Sequence, residues 1–316
     1  MFKRNIIPIF IILIILAFLM QPKTVSEGAF IGLNIWVNNI IPYLFPMSIL
    51  SNILLQYNFM YSLLERFSFI SKIIFKSKFA FIPYFISFIS GYPSGGLVTN
   101  ILFENKRISK REANYLLIFT NNCSFQFIAG AVAFSMLGNF NLYMYIAFPH
   151  FLGAIILSFL YKNHEIVLPT NKKLDYKPIQ FNEVFSSSIY KSVISILSVG
   201  GVIVIFSIFS QFLTNILSSF EGFMSLGTNI RDLIFAIIVG ILEITNGCSI
   251  ISSSILPLEV KLIIINFLIS FSGISVTFQT IAITSEFNFN IKKYLKGKFI
   301  FGIISAFICT LMLIII

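Results

Sequence analysis

The sequence predicts an all-α polytopic membrane protein made of two inverted-topology repeats, each a broken re-entrant hairpin followed by a broken helix. Three observations predict it. The first is composition: the 316 residues are 57% hydrophobic and 11% charged, with a mean hydropathy of +0.92. A soluble domain carries about a quarter charged residues, and apolar runs of spanning length recur here from Ile6 to Ile316. The second is a pair of apolar stretches, 79–103 and 232–256, each interrupted near its middle. The interruptions are Gly91-Tyr92-Pro93-Ser94-Gly95-Gly96 and Glu243-Ile244-Thr245-Asn246-Gly247. The third is charge. If both stretches dip into the bilayer and return, all 22 Lys and Arg residues except Lys23, Arg231 and Lys261 fall on one side, as the positive-inside bias favours.

The elements follow in order. Met1–Arg4 and the apolar Asn5–Met20 resemble a signal peptide, but no small-x-small cleavage site follows, so 5–21 is read as a retained helix with a cytoplasmic N-terminus. An external loop holds Lys23 and Glu27. Segment 28–57 returns inward and is expected to break at Ile41–Pro46, because a proline in a membrane helix frees a carbonyl. Residues 59–78 interleave Glu65, Arg66, Lys72, Lys76 and Lys78 with phenylalanines, which suits an amphipathic surface helix. The first hairpin, 79–103, then leads to the basic loop 104–112. Segment 113–137 runs outward and 143–161 back. The lysine-rich loop 162–178 is cytoplasmic, 179–192 an interfacial helix, and 193–217 an outward span. Loop 218–231 is external, 232–256 the second hairpin, and 260–285 an inward span. Lysines 292, 293, 296 and 298 mark a last cytoplasmic loop before helix 299–316. The chain so divides into a first membrane repeat with its N-terminal helix (1–161), a cytoplasmic linker with an interfacial helix (162–192), and a second repeat with the C-terminal helix (193–316).

A shift of 152 residues aligns the halves without gaps. Gly95 falls on Gly247, Asn114 on Asn266, Phe119 on Phe271, and Thr120–Ser124 on Ser272–Val276. The first hairpin would enter from inside and the second from outside, an inverted-topology repeat of the kind that builds secondary transporters. Backbone unwound at mid-membrane survives only inside protein or beside a polar cavity.

Four motifs carry the candidate chemistry. Ser94 and Gly95 lie at the first hairpin tip, where backbone N–H groups and the hydroxyl could meet a ligand; a packing turn is the other reading. Asn121, Asn122 and Ser124 belong to the polar break Thr120–Gln126, which needs either partners or a cavity. Glu243, deep in an apolar segment beside Asn246, could carry a proton, bind a cation such as sodium, pair with a substrate amine, or sit protonated against a carbonyl. Ser272 and Ser275 form the second half's counterpart to the Asn-rich break. Ser94, Asn121, Asn122, Glu243, Asn246, Ser272 and Ser275 are expected to line one mid-membrane cavity. Trp36 is an interfacial anchor or a gate.

The net charge of +10 sits in short loops, where it sets topology, and no basic domain exists to hold nucleic acid. Cys123, Cys248, Cys309, His150 and His164 have no metal-ligand spacing and read as packing or loop residues. No catalytic motif, P-loop or dinucleotide fingerprint is present, so no enzyme activity and no cofactor is expected. The expected partners are the lipid bilayer, a small substrate, and a coupling proton or sodium ion.

Asn34–Pro46, Gly91–Gly96, Phe119–Asn122 and Leu242–Gly247 together resemble the YlbJ-type sporulation integral membrane proteins, part of a wider group with two nucleoside-recognition Gate domains per chain. The resemblance covers nearly the whole chain. It implies a role in endospore formation, moving dipicolinic acid from the mother cell across the outer forespore membrane, in a multi-pass bacterial membrane protein. A looser similarity links the architecture to concentrative nucleoside transporters, whose Gln-Thr-Glu motif reads the nucleoside. The nearest stretch here, Thr120–Gln126, has no acidic residue, which counts against a nucleoside. Dipicolinate is a small planar dianion. It suits hairpin N–H groups better than a carboxylate, which would leave Glu243 to relay protons or couple an ion. A nucleoside or other metabolite, and a non-transporting forespore scaffold, are the alternatives.

Overall fold

The computed structural model describes residues 2–57, 62–63, 66–161, 180–220, 227–284 and 289–315, and their regular structure is helical throughout. The first helix, α1 (Phe2–Met20), is followed at once by α2 (Pro22–Ile35). Lys23 and Glu27 therefore belong to a helix rather than a loop, and pair at 3.9 Å one turn apart. The expected interruption at Ile41–Pro46 is displaced. The chain widens into a π-helical segment at Trp36–Ile40 and resumes as α3 (Ile41–Gln56). Pro42 falls at the start of α3, directly after the π-helical segment, and Pro46 lies inside the helix without ending it.

Of the expected surface helix, Glu65 lies outside the described residues. The described part, α4 (Ser68–Phe75), buries Ser71 and Phe75 and exposes Phe69 and Ile73. The first hairpin comprises α5 (Phe81–Ser90) and α6 (Ser94–Glu104), of 10 and 11 residues, which pack on one another. At about 1.5 Å per residue each covers roughly half of a bilayer core of about 30 Å. Gly91, at φ 73°, ends α5 in a conformation that a side chain would strain. Helix α7 (Lys110–Thr120) stops at the polar break 121–124, a π-helical segment follows (Phe127–Met136), and α8 (Tyr143–Leu160) completes the half.

Residues 162–179 and 221–226, which take in the lysine-rich loop 162–178 and part of the loop expected to be external, lie outside the described residues. Beyond them the structure departs from expectation. In place of an interfacial helix and a separate span, α9 (Phe181–Ser218) is one helix of 38 residues, so the boundary at 192/193 falls inside it. Ser198-Val199-Gly200-Gly201 does not interrupt it, since an isolated glycine pair costs a helix only about 2 kcal/mol. The second hairpin is α10 (Thr228–Leu242) and α11 (Ile244–Ser253), parted at Glu243 alone. Helices α12 (Leu258–Phe271) and α13 (Gly273–Ile283) part at Ser272, whose φ is 71°. The last helix, α14 (Ile291–Ile315), begins well before its expected start. Lys292, Lys293, Lys296 and Lys298 are therefore helical, and Lys298 is fully buried rather than in a cytoplasmic loop. The breaks at Gly91 and Glu243 coincide at the 152-residue shift, the break at Ser272 falls on Thr120 at the end of α7, and the order hairpin, broken helix, span is common to both halves. That the halves are related by a half-turn in the membrane plane remains an expectation.

Helix α9 runs antiparallel to α2 and α3. Gly28 and Gly32 let α2 approach it closely: a Cβ on either would lie 2.7 Å from Ile208 Cα or 2.8 Å from Val204 Cα. This is small-residue packing of the kind membrane helices use where no hydrophobic force drives association. The Trp36 indole rests on Gly200 and donates to the Ile196 carbonyl at 3.1 Å, so it is fixed inside the protein. Polar pairs extend the seam in both directions, Asn215 to Thr24 at 3.1 Å and Gln56 to Ser188 at 2.6 Å.

At the basic loop, Ser109 caps α7 by accepting from the Glu112 N–H at 3.1 Å, and Ser77 donates to the Glu112 carboxylate. Burial pushes this carboxyl above its ordinary range, against the hydrogen bonds from Ser77 and Ser109, which lower it. A carboxyl whose proton is held more tightly in the folded state stabilises most at low pH, and loses that contribution as pH rises through its folded value. The thermal midpoint should therefore fall over that window in the wild type and fall less in Glu112→Gln, in matched melts at acidic and neutral pH. The same loop tests topology. A cysteine at Ser109 should stay unlabelled by an impermeant maleimide added to intact cells, and external labelling there would place the first hairpin across the bilayer.

Candidate functional site

Three cavities lie in file along one face of α9. The Lys191 cavity, of about 430 Å³, is bordered by Lys191, Ser195 and Ser198 of α9, with Ser90 and Ser94 from the first hairpin and Asn52 from α3. The Glu243 cavity, of about 50 Å³, is bordered by Val199, Val202 and Ile203 of α9. The Asp232 cavity, of about 360 Å³, is bordered by Ser207, Ser210, Gln211 and Thr214 of α9, with Asn246 and Asp232 opposite. At about 1.5 Å per residue, Lys191 to Thr214 spans roughly 35 Å, enough to cross a bilayer core of about 30 Å. Ser90, Val199 and Gln279 border both the first and second cavities, so these two adjoin.

The middle cavity is where chain breaks meet. Ser90, Gly91 and Tyr92 come from the first hairpin turn, Cys123 and Ser124 from the α7 break, Glu243 and Thr245 from the second hairpin turn, and Val276 and Gln279 from α13. Between them Leu44, Phe127, Val199 and Ile203 form an apolar waist. The polar groups that remain are few and fixed. The Glu243 carboxylate accepts from the Asn246 N–H at 2.7 Å and so caps α11, a favourable place for negative charge at a helix N-terminus. Ser124 Oγ accepts from the Phe127 N–H at 3.1 Å and starts the next helical segment.

The nine expected site residues do not share one cavity. Glu243 and Ser124 border the middle cavity, Ser94 the Lys191 cavity and Asn246 the Asp232 cavity. Gly95, Asn121, Asn122, Ser272 and Ser275 are buried behind the walls. Gly95 brings α6 against the α7 break: a Cβ there would lie 2.3 Å from the Thr120 carbonyl oxygen. Asn121 is a hub. Its Oδ1 accepts from the Gly96 N–H at 3.2 Å, and its Nδ2 donates to Thr280 at 2.9 Å and to the Tyr294 hydroxyl at 3.1 Å. Asn122 donates to the Phe119 carbonyl at 2.7 Å. The first hairpin tip offers fewer free donors than its sequence suggests, because the Ser94 N–H is bonded to the Gly91 carbonyl and the Gly96 N–H to Asn121. Side chains of Ser90, Ser94, Asn52 and Lys191 supply the cavity's polarity instead.

Two groups escaped the sequence reading. The polar stripe of α9, Ser195, Ser198, Ser207, Ser210 and Thr214, repeats at intervals of three and four where it is not interrupted by the apolar waist. Its period was readable, but its place on a lining face was not. Lys298 was assigned to a loop by its charge. Tyr294, Lys298 and Phe301 share one helical face, and that i, i+4, i+7 spacing was the available signal that the lysine turns inward. Lys298 donates to the Asn121 carbonyl and lies over the Tyr92, Tyr294 and Phe301 rings.

No family model matches the sequence. The chain is 28% identical over 321 aligned residues, 90% of its own length and 77% of the relative's, to the sporulation integral membrane protein YlbJ of Bacillus subtilis strain 168. Its fold is that of a solved structure of CNTnw, a doubly substituted variant in an outward-facing state. The TM-score is 0.58 at 13% identity, over 95% of this chain and 86% of that one. This is a multi-pass integral membrane protein, with five helical runs long and apolar enough to cross a bilayer among the described residues.

Proposed function

We propose that this membrane protein is a secondary transporter that moves a small organic anion, dipicolinate in particular, across a forespore membrane by alternating access. The observation that carries the reading is the file of cavities along α9. Two roomy polar cavities, separated by a narrow apolar waist at the meeting of the chain breaks, form the arrangement that admits a solute from one side at a time. The likeness to a transporter fold supports movement of a solute, and the similarity to YlbJ supports the sporulation setting.

The chemistry of the Lys191 cavity supports an anion. Lys191 contributes its charge, Ser90, Ser94 and Asn52 their dipoles, and among the described residues no carboxylate borders it. A planar dianion entering there meets Glu243 at the waist, where like charges oppose each other. Protonation of Glu243 as the anion passes would relieve that repulsion, which is the role we assign to it.

Uptake of labelled dipicolinate into proteoliposomes tests the reading. Wild-type vesicles should accumulate it above empty vesicles. Lys191→Ala and Ser94→Ala should weaken apparent affinity several-fold, and Glu243→Gln should slow the maximal rate. Uptake no faster than in empty vesicles, with well-folded protein, would remove dipicolinate as the cargo.

A further inference from the structure

We infer that Lys298 is a proton-coupling site of this transporter, in addition to Glu243: its amine is loaded and unloaded in each cycle, and its loaded form holds α14 to the chain break at Asn121. The inference rests on the transport reading above.

Lys298 is wholly inaccessible to solvent. Its Nζ donates to the Asn121 carbonyl, just beyond the end of α7. Ring centroids of Phe301, Tyr92 and Tyr294 lie 5.1, 5.5 and 5.8 Å away. The titratable groups that face it are Tyr92 from the first hairpin, Cys123 from the α7 break, His150 from α8, and Tyr294 from its own helix. His150 is held by Ser270 of α12 at 2.8 Å and stacks on Phe301. None of these groups is an acid ionised near neutral pH, and no carboxylate lies within ion-pair distance of Lys298 among the described residues.

Removing an ammonium from water costs several kcal/mol even after the protein relaxes. A charge-assisted hydrogen bond returns about 1.5–3 kcal/mol, and each desolvated cation–π contact about 2 kcal/mol. The opposing terms are of one size, so the site fixes neither protonation state. A purely structural lysine would gain from a carboxylate partner, whereas a group that must give up its proton is better without one. The exit is at hand, because Tyr92 has its ring over Nζ and also borders the Glu243 cavity. When water enters that cavity and Tyr92 shifts, an Nζ–H bond breaks, the electron pair stays on nitrogen, and the proton passes to water. The neutral amine loses its ion–dipole attraction to the Asn121 carbonyl. The contact that loosens is the one against which α6 is seated through Gly95 and Gly96.

The test has a cargo-independent arm. In nanodisc-embedded protein labelled with ¹⁵N at lysine Nζ, the resonance that disappears in Lys298→Met should switch between the charged and neutral positions as pH is varied over the range in which the protein stays folded. A resonance that stays in one form throughout overturns the inference, whatever the cargo. In the second arm, labelled dipicolinate uptake is driven by a pH gradient without sodium. Wild type should respond at least tenfold above the no-gradient level. Lys298→Met and Lys298→Arg, confirmed folded by their melting curves, should lose the response, because methionine carries no proton and arginine does not release one. Gradient-driven uptake retained by either variant also overturns it. Dipicolinate uptake absent under every gradient would instead strike at the proposed cargo, and the titration still decides the role of Lys298.

Discussion

Replacing Asn121 with leucine should greatly reduce the amount of folded protein in the membrane rather than silence an intact transporter. Three polar groups from three other elements converge on this side chain: the Gly96 N–H of α6, Thr280 of α13 and Tyr294 of α14. All are in a sealed interior. Leucine fills a similar volume but answers none of them. A buried donor or acceptor left without a partner costs about 1–3 kcal/mol, and the Gly96 N–H has no alternative within a packed helix end. The sum is a large part of a typical folding margin of about 5–15 kcal/mol. Asn246→Leu is the contrast. Its Oδ1 accepts only from Ser207, at 2.8 Å, and the residue borders the Asp232 cavity. That variant should fold and lose uptake. Yield in the membrane fraction and the thermal midpoint of purified protein distinguish the two. An Asn121→Leu protein that melts like wild type would show that the hub is dispensable.

The second large effect is expected at Gly95 and Gly247, which coincide under the 152-residue shift. An alanine at Gly95 would set its Cβ 2.3 Å from the Thr120 carbonyl oxygen, and one at Gly247 would set it 2.3 Å from Gly240 Cα. Both obstacles are backbone, so no side chain can rotate away. Overpacking of this kind costs about 1–3 kcal/mol or more, and here it would also push a hairpin from its seat. Either variant should lower the melting midpoint by several degrees and reduce uptake at least tenfold. Gly201→Ala is the control. It meets nothing within 4 Å and should stabilise by about 0.5–1 kcal/mol through helix propensity alone. Equal behaviour of all three variants would mean that the close approaches are not tight in solution.

How much was legible varied with the physics behind each signal. The hairpins and breaks were readable because Gly91-Tyr92-Pro93 and the isolated Glu243 violate helix rules within an apolar stretch, and such violations are local. The break at Ile41–Pro46 was misplaced because proline was read as a disruptor, although the irregularity falls just ahead of Pro42 and the helix runs on through Pro46. The unbroken length of α9 was missed because Lys191 and the preceding polar residues suggested an interface, whereas the helix runs without interruption from Phe181 to Ser218. Lys298 was misplaced for a related reason: charge statistics locate a segment, but packing decides which way one side chain turns. The division of polar residues between hub and cavity wall was out of reach altogether. Asn121 and Asn246 look alike in sequence, and only the neighbours brought by other helices separate a fastened amide from one at a cavity.

The seam between α2 and α9 has a mechanical meaning. Helix α9, unbroken from Phe181 to Ser218, is held along α2 by Gly28 and Gly32 and bonded from Thr24–Asn215 to Gln56–Ser188 of α3, so it splints the π-helical widening at Trp36–Ile40 and the seam acts as a stiff strut. The hairpin turns, by contrast, all face it from the opposite wall. If the protein transports as proposed, switching sides is an asymmetric affair, with the seam as fulcrum and the hairpins as moving arms. An inhibitor wedged beside the strut has nothing to arrest, while one lodged at the waist would hold both arms.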